Sequence, residues 1–452
     1  MKDSLSRRSF IKTTGTAAAM SGLLANPFHI FAQGSPNRKV VVAVMGIRSR
    51  GKALAKAFAA VKDCEIAYLC DVDDRYFDDC LAEIAKFQKK VPKKEKDLRK
   101  VLEDKQLDAL VVAAPDHWHA PAALMALKAG KHVYLEKPCG HNPREGEILV
   151  EAQKKYNRVV QMGNQRRSWS RVNQCMQEIQ EGIIGNVYFA KGWYANGRGS
   201  IGYGKEAPVP DFLDYELFQG PAPRTPYRDN IHPYNWHWFK RWGTGESCNN
   251  GTHEIDAMRW GMGLDYPTRI VASGGRYHYK DDWEFPDTMV VTYDFEDGKT
   301  FTWESRSCNK LPIEGGGRGV IFYGEKGTIV MPGGNSYKVY NNDRDVQLIK
   351  EVKDDTKPAA GADTDKTNTI GPGMRLDVVH VENFVQSIQN GTPNSSPIDE
   401  GHKSILMCHL ANIAYESGRA LNIDQRNGHI IGDRDAMQSW SREYEPGWEM
   451  VV

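Results

Sequence analysis

The sequence predicts an α/β chain: a doubly wound parallel sheet, followed by an α+β domain whose sheet is mostly antiparallel and open. Two patterns and a size argument predict it. Up to residue 162, short apolar runs alternate with stretches of helical spacing, as in βαβ units. Beyond that point the chain turns to aromatic, glycine-rich and β-rich runs separated by turn residues. With 452 residues, 40% of them hydrophobic, it is long enough for two cores.

The first strand, 40–45, is followed by GIRSRG at 46–51 and by KALAKAFAAV, whose apolar spacing is helical. Strand, glycine turn and helix in that order present free backbone N–H groups at a helix start, a ready site for a pyrophosphate. Gly46, Ile47 and Gly51 are therefore expected at a dinucleotide. A GxGxxG pattern would place glycine at position 48, where the chain has Arg48. Arg48 or Arg50 would compensate by pairing with phosphate oxygens, the alternative being a solvated arginine. The second strand, 65–70, ends in Asp71. An acid there binds the adenosine ribose and repels a 2′-phosphate, so the expected cofactor is NAD rather than NADP.

Asp73, Asp74 and Arg75 then open a charged helix expected to run through Lys90, and the lysine-rich segment 91–104 follows. Acids alternate with these lysines and the chain carries formal charge +1, which reads as a solvated helical face and excludes a nucleic-acid partner. The strand at 110–114 stops at Pro115 and spills Asp116, His117, Trp118 and His119 into a loop; the strand at 132–135 delivers Glu136 and Lys137 just before a proline. Ligands collect at the carboxyl ends of parallel strands. Ala114, Pro115, His117, His119, Glu136 and Lys137 are therefore expected at the cofactor, with Asn164 and Gln165 after the strand at 159–162. Helices are expected at 121–129 and 143–156.

In the second half a helix is expected at 172–181 and strands at 187–193, 269–279, 288–295, 299–304, 319–323 and 328–331, with a hairpin turn at 296–298. The segment 232–246 is dense in aromatic residues. Tyr234, Trp236 and His237 would offer rings to the C–H face of a sugar and polar tips to its hydroxyls, although such rings also serve as sheet core. Arg166 and Tyr194 are further expected substrate contacts. The domain boundaries are placed at 1–34 for a leader and linker, 35–165 and 166–452, with the C-terminal helices expected to pack back on the first domain.

His117 with His119, and His253 with Glu254 and Asp256, lack the spacing of a zinc site, so no metal is expected. The eight cysteines are scattered with no CxxC and read as free thiols. SRRSFIK at 6–12, followed by a mildly apolar run to Leu24, matches a twin-arginine export signal, with cleavage expected after Ala32 and a periplasmic destination. No other segment approaches the ~20 apolar residues of a membrane span. The polar stretch 354–373 reads as a mobile connection or lid.

Together GIRSRG with Asp71, APDHWHA, GKHVYLEKP, MGNQRR, NNGTHEID, GEKGTI and HVENFVQSIQNGTP resemble the Gfo/Idh/MocA family of sugar oxidoreductases over most of the chain. The resemblance implies a Rossmann-type first domain, a carbohydrate substrate, and homo-oligomers through the second-domain sheet. It also implies that the EKP lysine, Lys137, lies beside the nicotinamide and that a second-domain histidine, His253, accepts the hydroxyl proton. Histidine titrates near neutrality and a lysine ammonium stabilises developing negative charge, so the chemistry agrees. The family commonly has an aspartate four residues before that histidine. Here Asn249 stands there, which leaves either a weaker base or work for another group, His237 being the obvious one. The YNWHW and GTGE segments also look like those of exported NAD-dependent glycosidases, including α-N-acetylgalactosaminidases, which lack the EKP lysine. The resemblance thus implies an oxidoreductase with tightly held NAD. The alternative it implies is a glycosidase working by oxidation, elimination, water addition and re-reduction; a carbohydrate-binding protein with a relic nucleotide fold is the reading outside catalysis.

Overall fold

The computed structural model describes residues 38–354 and 374–452. The SRRSFIK signature and the connection beyond Asp354 lie outside the described residues. Six strands, β1 (Val40–Met45), β2 (Cys64–Cys70), β3 (Lys93–Glu95), β4 (Ala109–Val112), β5 (His132–Leu135) and β6 (Val160–Met162), form a sheet in the order β3-β2-β1-β4-β5-β6. Every neighbouring pair is parallel. The order reverses between β1 and β4, so the loops leaving these two strands diverge and open a crevice over their carboxyl ends. Helices α1 (Ser49–Ala60), α2 (Phe77–Ile84), α3 (Asp116–Lys128) and α4 (Pro143–Tyr156) connect the strands. Covered on both faces, β4 is buried at every position, which is why it reads as an unbroken apolar run.

Two expectations for this half are corrected. Asp116 to His119 are the first turn of α3, not a loop. Pro115 provides the N-cap, and Pro121 sits inside the helix. Proline has no N–H to give to the His117 carbonyl, and Arg442 Nη2 donates to that oxygen instead, at 2.7 Å. The charged helix expected through Lys90 stops at Ile84. Gln88 instead turns back on β2, accepting from Ile66 N and donating to Ile66 O, each at 2.9 Å, and the lysine-rich segment contributes the edge strand β3.

The second sheet has ten strands: β7 (Val187–Ala195), β8 (Arg269–Gly275), β9 (Thr288–Asp294), β10 (Thr300–Arg306), β11 (Arg318–Gly324), β12 (Gly327–Pro332), β13 (Tyr337–Asn341), β14 (Leu348–Val352), β15 (Leu421–Ile423) and β16 (Ile430–Ile431). Their order is β14-β13-β12-β11-β7-β10-β9-β8-β15-β16. Pairing is antiparallel throughout except between β7 and β10, which run parallel. The strand expected through Tyr279 ends at Gly275, and β13 to β16 are too short or too polar to stand out in the sequence. The Glu296-Asp297-Gly298 turn joins β9 to β10 as expected, with Gly298 at φ 76°.

Alternate residues of β10 are buried, which is how a sheet packed on one face reads. The covering helices are α5 (Ser170–Gln180), α6 (Thr252–Met262) and α8 (Ile398–Ser417), and Met176, Ile255, Met258 and Leu410 share a core with Phe301, Trp303 and Phe322. Each such side chain contributes about 1.5–3 kcal/mol by leaving water. Helix α7 (Met374–Asn390) packs elsewhere: Val381, Phe384 and Val385 join the first-domain core, with Phe384 edge-on to Phe58 and Tyr134. The C-terminal chain follows, since Trp448 meets Trp118 edge to face at 5.1 Å. No helix among the described residues is long and apolar enough to cross a membrane. All eight cysteines are free, Cys308 half-buried and the others buried.

Candidate active site

The crevice above β1 and β4 continues into the second domain as one cavity, and its floor is the glycine turn. Gly46 has φ 78°, and a Cβ there would lie 2.6 Å from Ala113 O and Ala114 N; a Cβ on Gly51 would lie 1.6 Å from Gly46 O. Only glycine lets β1, β4 and the start of α1 approach this closely. Arg48 has φ −72°, an ordinary value, so the backbone conformation there does not require the missing second glycine. The first turn of α1 has neither an acidic residue nor a side-chain cap, so no negative side chain offsets the helix dipole where it meets the cavity.

Asp71, at the end of β2, lines the cavity and accepts from Ile47 N at 2.7 Å and Asp73 N at 2.9 Å. Burial raises its pKa to about 6 against those two backbone donors. The glycine cradle, the open helix start and this carboxylate fit the pyrophosphate and ribose of a dinucleotide.

Arg50 is not set aside for phosphate. Its Nε donates to Glu136 at 2.8 Å and its Nη1 and Nη2 to Asp377 of α7 at 2.8 and 3.0 Å. It pins α7 to the strand ends while one edge lines the cavity. Gln165 Nε2 donates to the same Glu136 oxygen at 3.3 Å, and a Cβ on Gly163 would crowd that carboxylate at 2.8 Å. Arg48 lies over the ring of Tyr234, 5.7 Å from its centroid, bridging the two domains.

Lys137 leaves β5 into the cavity, and its Nζ donates to Asn249 O at 2.5 Å and Asn249 Oδ1 at 3.0 Å. Burial lowers its pKa, opposed by Glu136 and Asp116 and assisted by Arg318. Asp116 lines the cavity too and accepts from Thr244 Oγ1 at 2.5 Å; burial raises its pKa.

Asn249 belongs to a π-helical turn, Ser247–Gly251, that runs directly into α6. Positions i, i+1 and i+4 lie within about 100° of one another on a helical turn and so share one side. Asn249, Asn250 and His253 all line the cavity as a result. Behind them Glu254 is fully buried, accepting from Arg166 Nη2 at 3.1 Å and from Arg318 Nε at 3.0 Å and Nη2 at 3.2 Å. The His253 ring makes no hydrogen bond among the described residues, and burial with the nearby Arg318 and Lys137 holds its pKa well below 6.5.

The aromatic segment supplies the facing wall. Tyr234, Trp236 and His237 line the cavity, and Trp236 stacks on His237 with ring centroids 3.5 Å apart. Nδ1 of His237 donates to Tyr234 O at 2.7 Å, which leaves the lone pair on Nε2. Burial pushes the pKa of this ring well below 6.5 as well, so it is neutral at neutral pH. Trp238, by contrast, is core, stacked on Trp283 at 3.8 Å.

Of the residues expected from sequence, Ala114, Pro115 and His119 also line the cavity. His119 does so with both nitrogens already engaged, by Pro138 O and Ala114 O at 2.6 and 2.7 Å. Five residues do not line it. Ile47 is buried with its amide on Asp71; Asn164 lies buried behind Gln165. His117 points into the domain junction and bonds Phe218 O at 2.8 Å. Arg166 holds Glu254, and Tyr194 is core with its hydroxyl on Arg198 at 3.2 Å. Sequence reasoning did not select Asp116, Asn250, His232 and Arg318 as site residues, although all four line the cavity. The first two sat inside quoted motifs, whereas nothing in the sequence marks Arg318, brought here by the pairing of β11 with β7. Among the described residues no cluster of three or more His, Cys, Asp or Glu could hold a metal.

Comparison with known proteins places this geometry. The description "Oxidoreductase family, NAD-binding Rossmann fold" matches residues 28–164, and "Oxidoreductase family, C-terminal alpha/beta domain" matches 218–423. A glycosyl hydrolase family 109 protein of Stenotrophomonas maltophilia is 24% identical over 70% of this chain and 72% of its own length. An α-N-acetylgalactosaminidase of Shewanella oneidensis is 22% identical over 42% of this chain and 45% of its own. A levoglucosan dehydrogenase solved with NADH and levoglucosan shares the fold, with TM-score 0.64 and 17% identity, over 86% of this chain and all of that one. With both of its domains matched and the glycine cradle and Asp71 in place, the chain belongs to the Gfo/Idh/MocA family and is an NAD-dependent oxidoreductase by fold and cofactor.

Proposed function

We propose that this enzyme oxidises a ring hydroxyl of a sugar, glycoside or cyclitol and keeps its NAD bound through turnover, a second sugar taking the hydride back in turn. One observation carries the reading: Lys137 from the parallel sheet and His253 and His237 from two elements of the second domain open onto the cavity that holds the glycine turn. Bound nicotinamide supplies the acceptor for the hydrogen and two electrons that leave a carbinol carbon. The chain supplies the proton chemistry and the grip. His253, kept neutral by burial and by the cations around it, takes the hydroxyl proton on an unengaged ring nitrogen. Lys137 presents its ammonium to the oxygen as negative charge develops there. Trp236 and Tyr234 offer the face on which the sugar lies. Export, proposed from the SRRSFIK signature, would separate the enzyme from the cytoplasmic coenzyme pool and so favours a retained coenzyme.

The glycosidase names of the relatives favour a second reading of the same site. A ring ketone acidifies the neighbouring C–H, His237 Nε2 removes that proton, the aglycone leaves with its bonding pair, water adds to the alkene, and reduction restores the sugar. Both readings require nicotinamide to be released in stoichiometric amount when the purified protein is denatured, and its absorbance to respond to some member of a sugar and glycoside panel. A protein that yields no nicotinamide sinks both. Substrate deuterated at the ring carbon next to the anomeric centre separates them: label lost to water with release of aglycone supports elimination, while label retained with ketone formation supports simple oxidation.

The pH profile follows from the site electrostatics. The base works as neutral imidazole, so activity falls as pH drops through its pKa, and burial places that limb of kcat/KM well below 6.5. Lys137 works as an ammonium, so activity falls as pH rises through its pKa, and burial places that limb below 10.5. A steady-state profile between pH 4 and 11 would therefore show an acid limb well below 6.5 and an alkaline limb below 10.5; an acid limb near 6.5 would refute the histidine assignment.

A further inference from the structure

The second-domain wall of the cavity is short of negative charge. Its lining residues, from Phe218 to Arg318, include Asn249, Asn250, His237 and His253 but no carboxylate. The two acids nearest to them face away. Glu246 is buried and taken up by Arg198 at 2.8 Å, Ser307 at 2.9 Å and Asn250 at 2.5 Å. Glu254 is buried beneath Arg166 and Arg318, so two guanidiniums share one carboxylate and leave an excess positive charge. Lys137 adds a cation from the first domain, where Glu136, itself paired with Arg50, and Asp116 offset part of it; the ammonium is held by the carbonyl and side-chain amide of Asn249.

Of the two arginines on Glu254, Arg318 is the one that reaches the cavity. It begins β11, opposite Tyr194 of β7, and its stem passes over Gly333, where a Cβ would lie 2.3 Å from its Cγ. Its Nε and Nη2 are bound to Glu254 and to Asn250 O. Its Nη1 makes a single long contact, 3.4 Å to Asn250 Oδ1. One N–H of the guanidinium is thus left over at the cavity edge. Consecutive asparagines of the π turn hold the two cations, Asn249 for Lys137 and Asn250 for Arg318, and both cations line the same cavity. A neutral sugar wants acceptors for its hydroxyl protons, which carboxylates supply best; a wall of cations and amides suits an anion.

We propose that the sugar taken by this site is acidic, with a carboxylate or other anionic substituent on the ring, and that Arg318 selects it. The inference rests on the sugar-oxidising reading for its choice of ligand.

The test uses the purified holoprotein. Binding of D-glucuronate, D-glucose 6-sulfate and D-glucose, and of D-galacturonate and D-galactose, is measured by calorimetry at low and raised salt, and nicotinamide content is assayed on the same sample. An acidic member is expected to bind at least about tenfold more tightly than its neutral counterpart, with the advantage shrinking in salt. Preference for uronate over sulfate, or the reverse, identifies the anion. In Arg318→Met the acid-to-neutral ratio is expected to collapse to within about twofold, and Arg318→Lys to retain part of it. Melting curves check the folding of both variants; should Arg318→Met not fold, the wild-type ratios, salt series and lysine variant still decide. Equal binding of acid and neutral sugars, no binding of any of them, or an advantage that survives Arg318→Met overturns the proposal. Tighter binding of the acid by a protein devoid of nicotinamide would leave acidic recognition standing and remove the redox reading instead.

Discussion

Replacing Lys137 by methionine is expected to lower kcat and kcat/KM together by on the order of 10²–10³-fold, the usual cost of losing one donor aimed at a developing oxyanion. The joint fall is the informative part. An ammonium that merely tethered substrate would raise KM and leave kcat near its original value. Stability is expected to move less. Methionine removes a buried charge whose desolvation already lowers the lysine pKa, but it also strips Asn249 O and Oδ1 of their donor, a loss of about 1–3 kcal/mol. Lys137→Arg is expected to restore little, because a planar guanidinium cannot occupy the place of a compact ammonium buried against a backbone carbonyl. Steady-state rates with melting curves on the three proteins check this, and a methionine variant within tenfold of wild type would remove Lys137 from the chemistry.

Gly51→Ala is expected to empty the nucleotide crevice. The added Cβ would sit 1.6 Å from Gly46 O, and Gly46 itself is wedged against Ala113 O and Ala114 N with φ 78°. No flexible side chain can give way, so β1, β4 or α1 must move. Overpacking of this kind costs about 1–3 kcal/mol, occasionally more. The displaced backbone is the part that presents N–H groups to a pyrophosphate, so the variant is expected to purify with less than about a tenth of the wild-type nicotinamide, beyond what its lower melting temperature explains. Arg48→Ala is the comparison: Arg48 has an ordinary φ and its side chain lies over Tyr234, so truncating it keeps the backbone of the turn and should leave the cofactor in place.

Where local pattern and tertiary environment agreed, the chain was legible. β1 and its glycine turn, Asp71 at the end of β2, and Glu136 with Lys137 at the end of β5 could be located because strands covered on both faces read as apolar runs and their ends as polar breaks. Misplaced residues have a common cause. His117 and His119 are titratable side chains beside a strand end, and sequence cannot say which way a helical turn faces; His119 reaches the cavity edge fully engaged, and His117 is turned into the domain junction. Arg50 resembled a phosphate ligand until α7, more than three hundred residues away, brought Asp377 to it.

The sequence by itself determined the two-sheet architecture, the coenzyme, the family and the lysine at the strand end, because each follows from periodicity, glycine placement and short contiguous motifs. Only the tertiary structure decided how the reaction end is charged. That depends on which buried carboxylate each arginine reaches, and on the packing that turns the side carrying Asn249, Asn250 and His253 to the cavity. Pairings between residues sixty or more positions apart are set by strand register and helix packing, and a linear pattern carries no record of them.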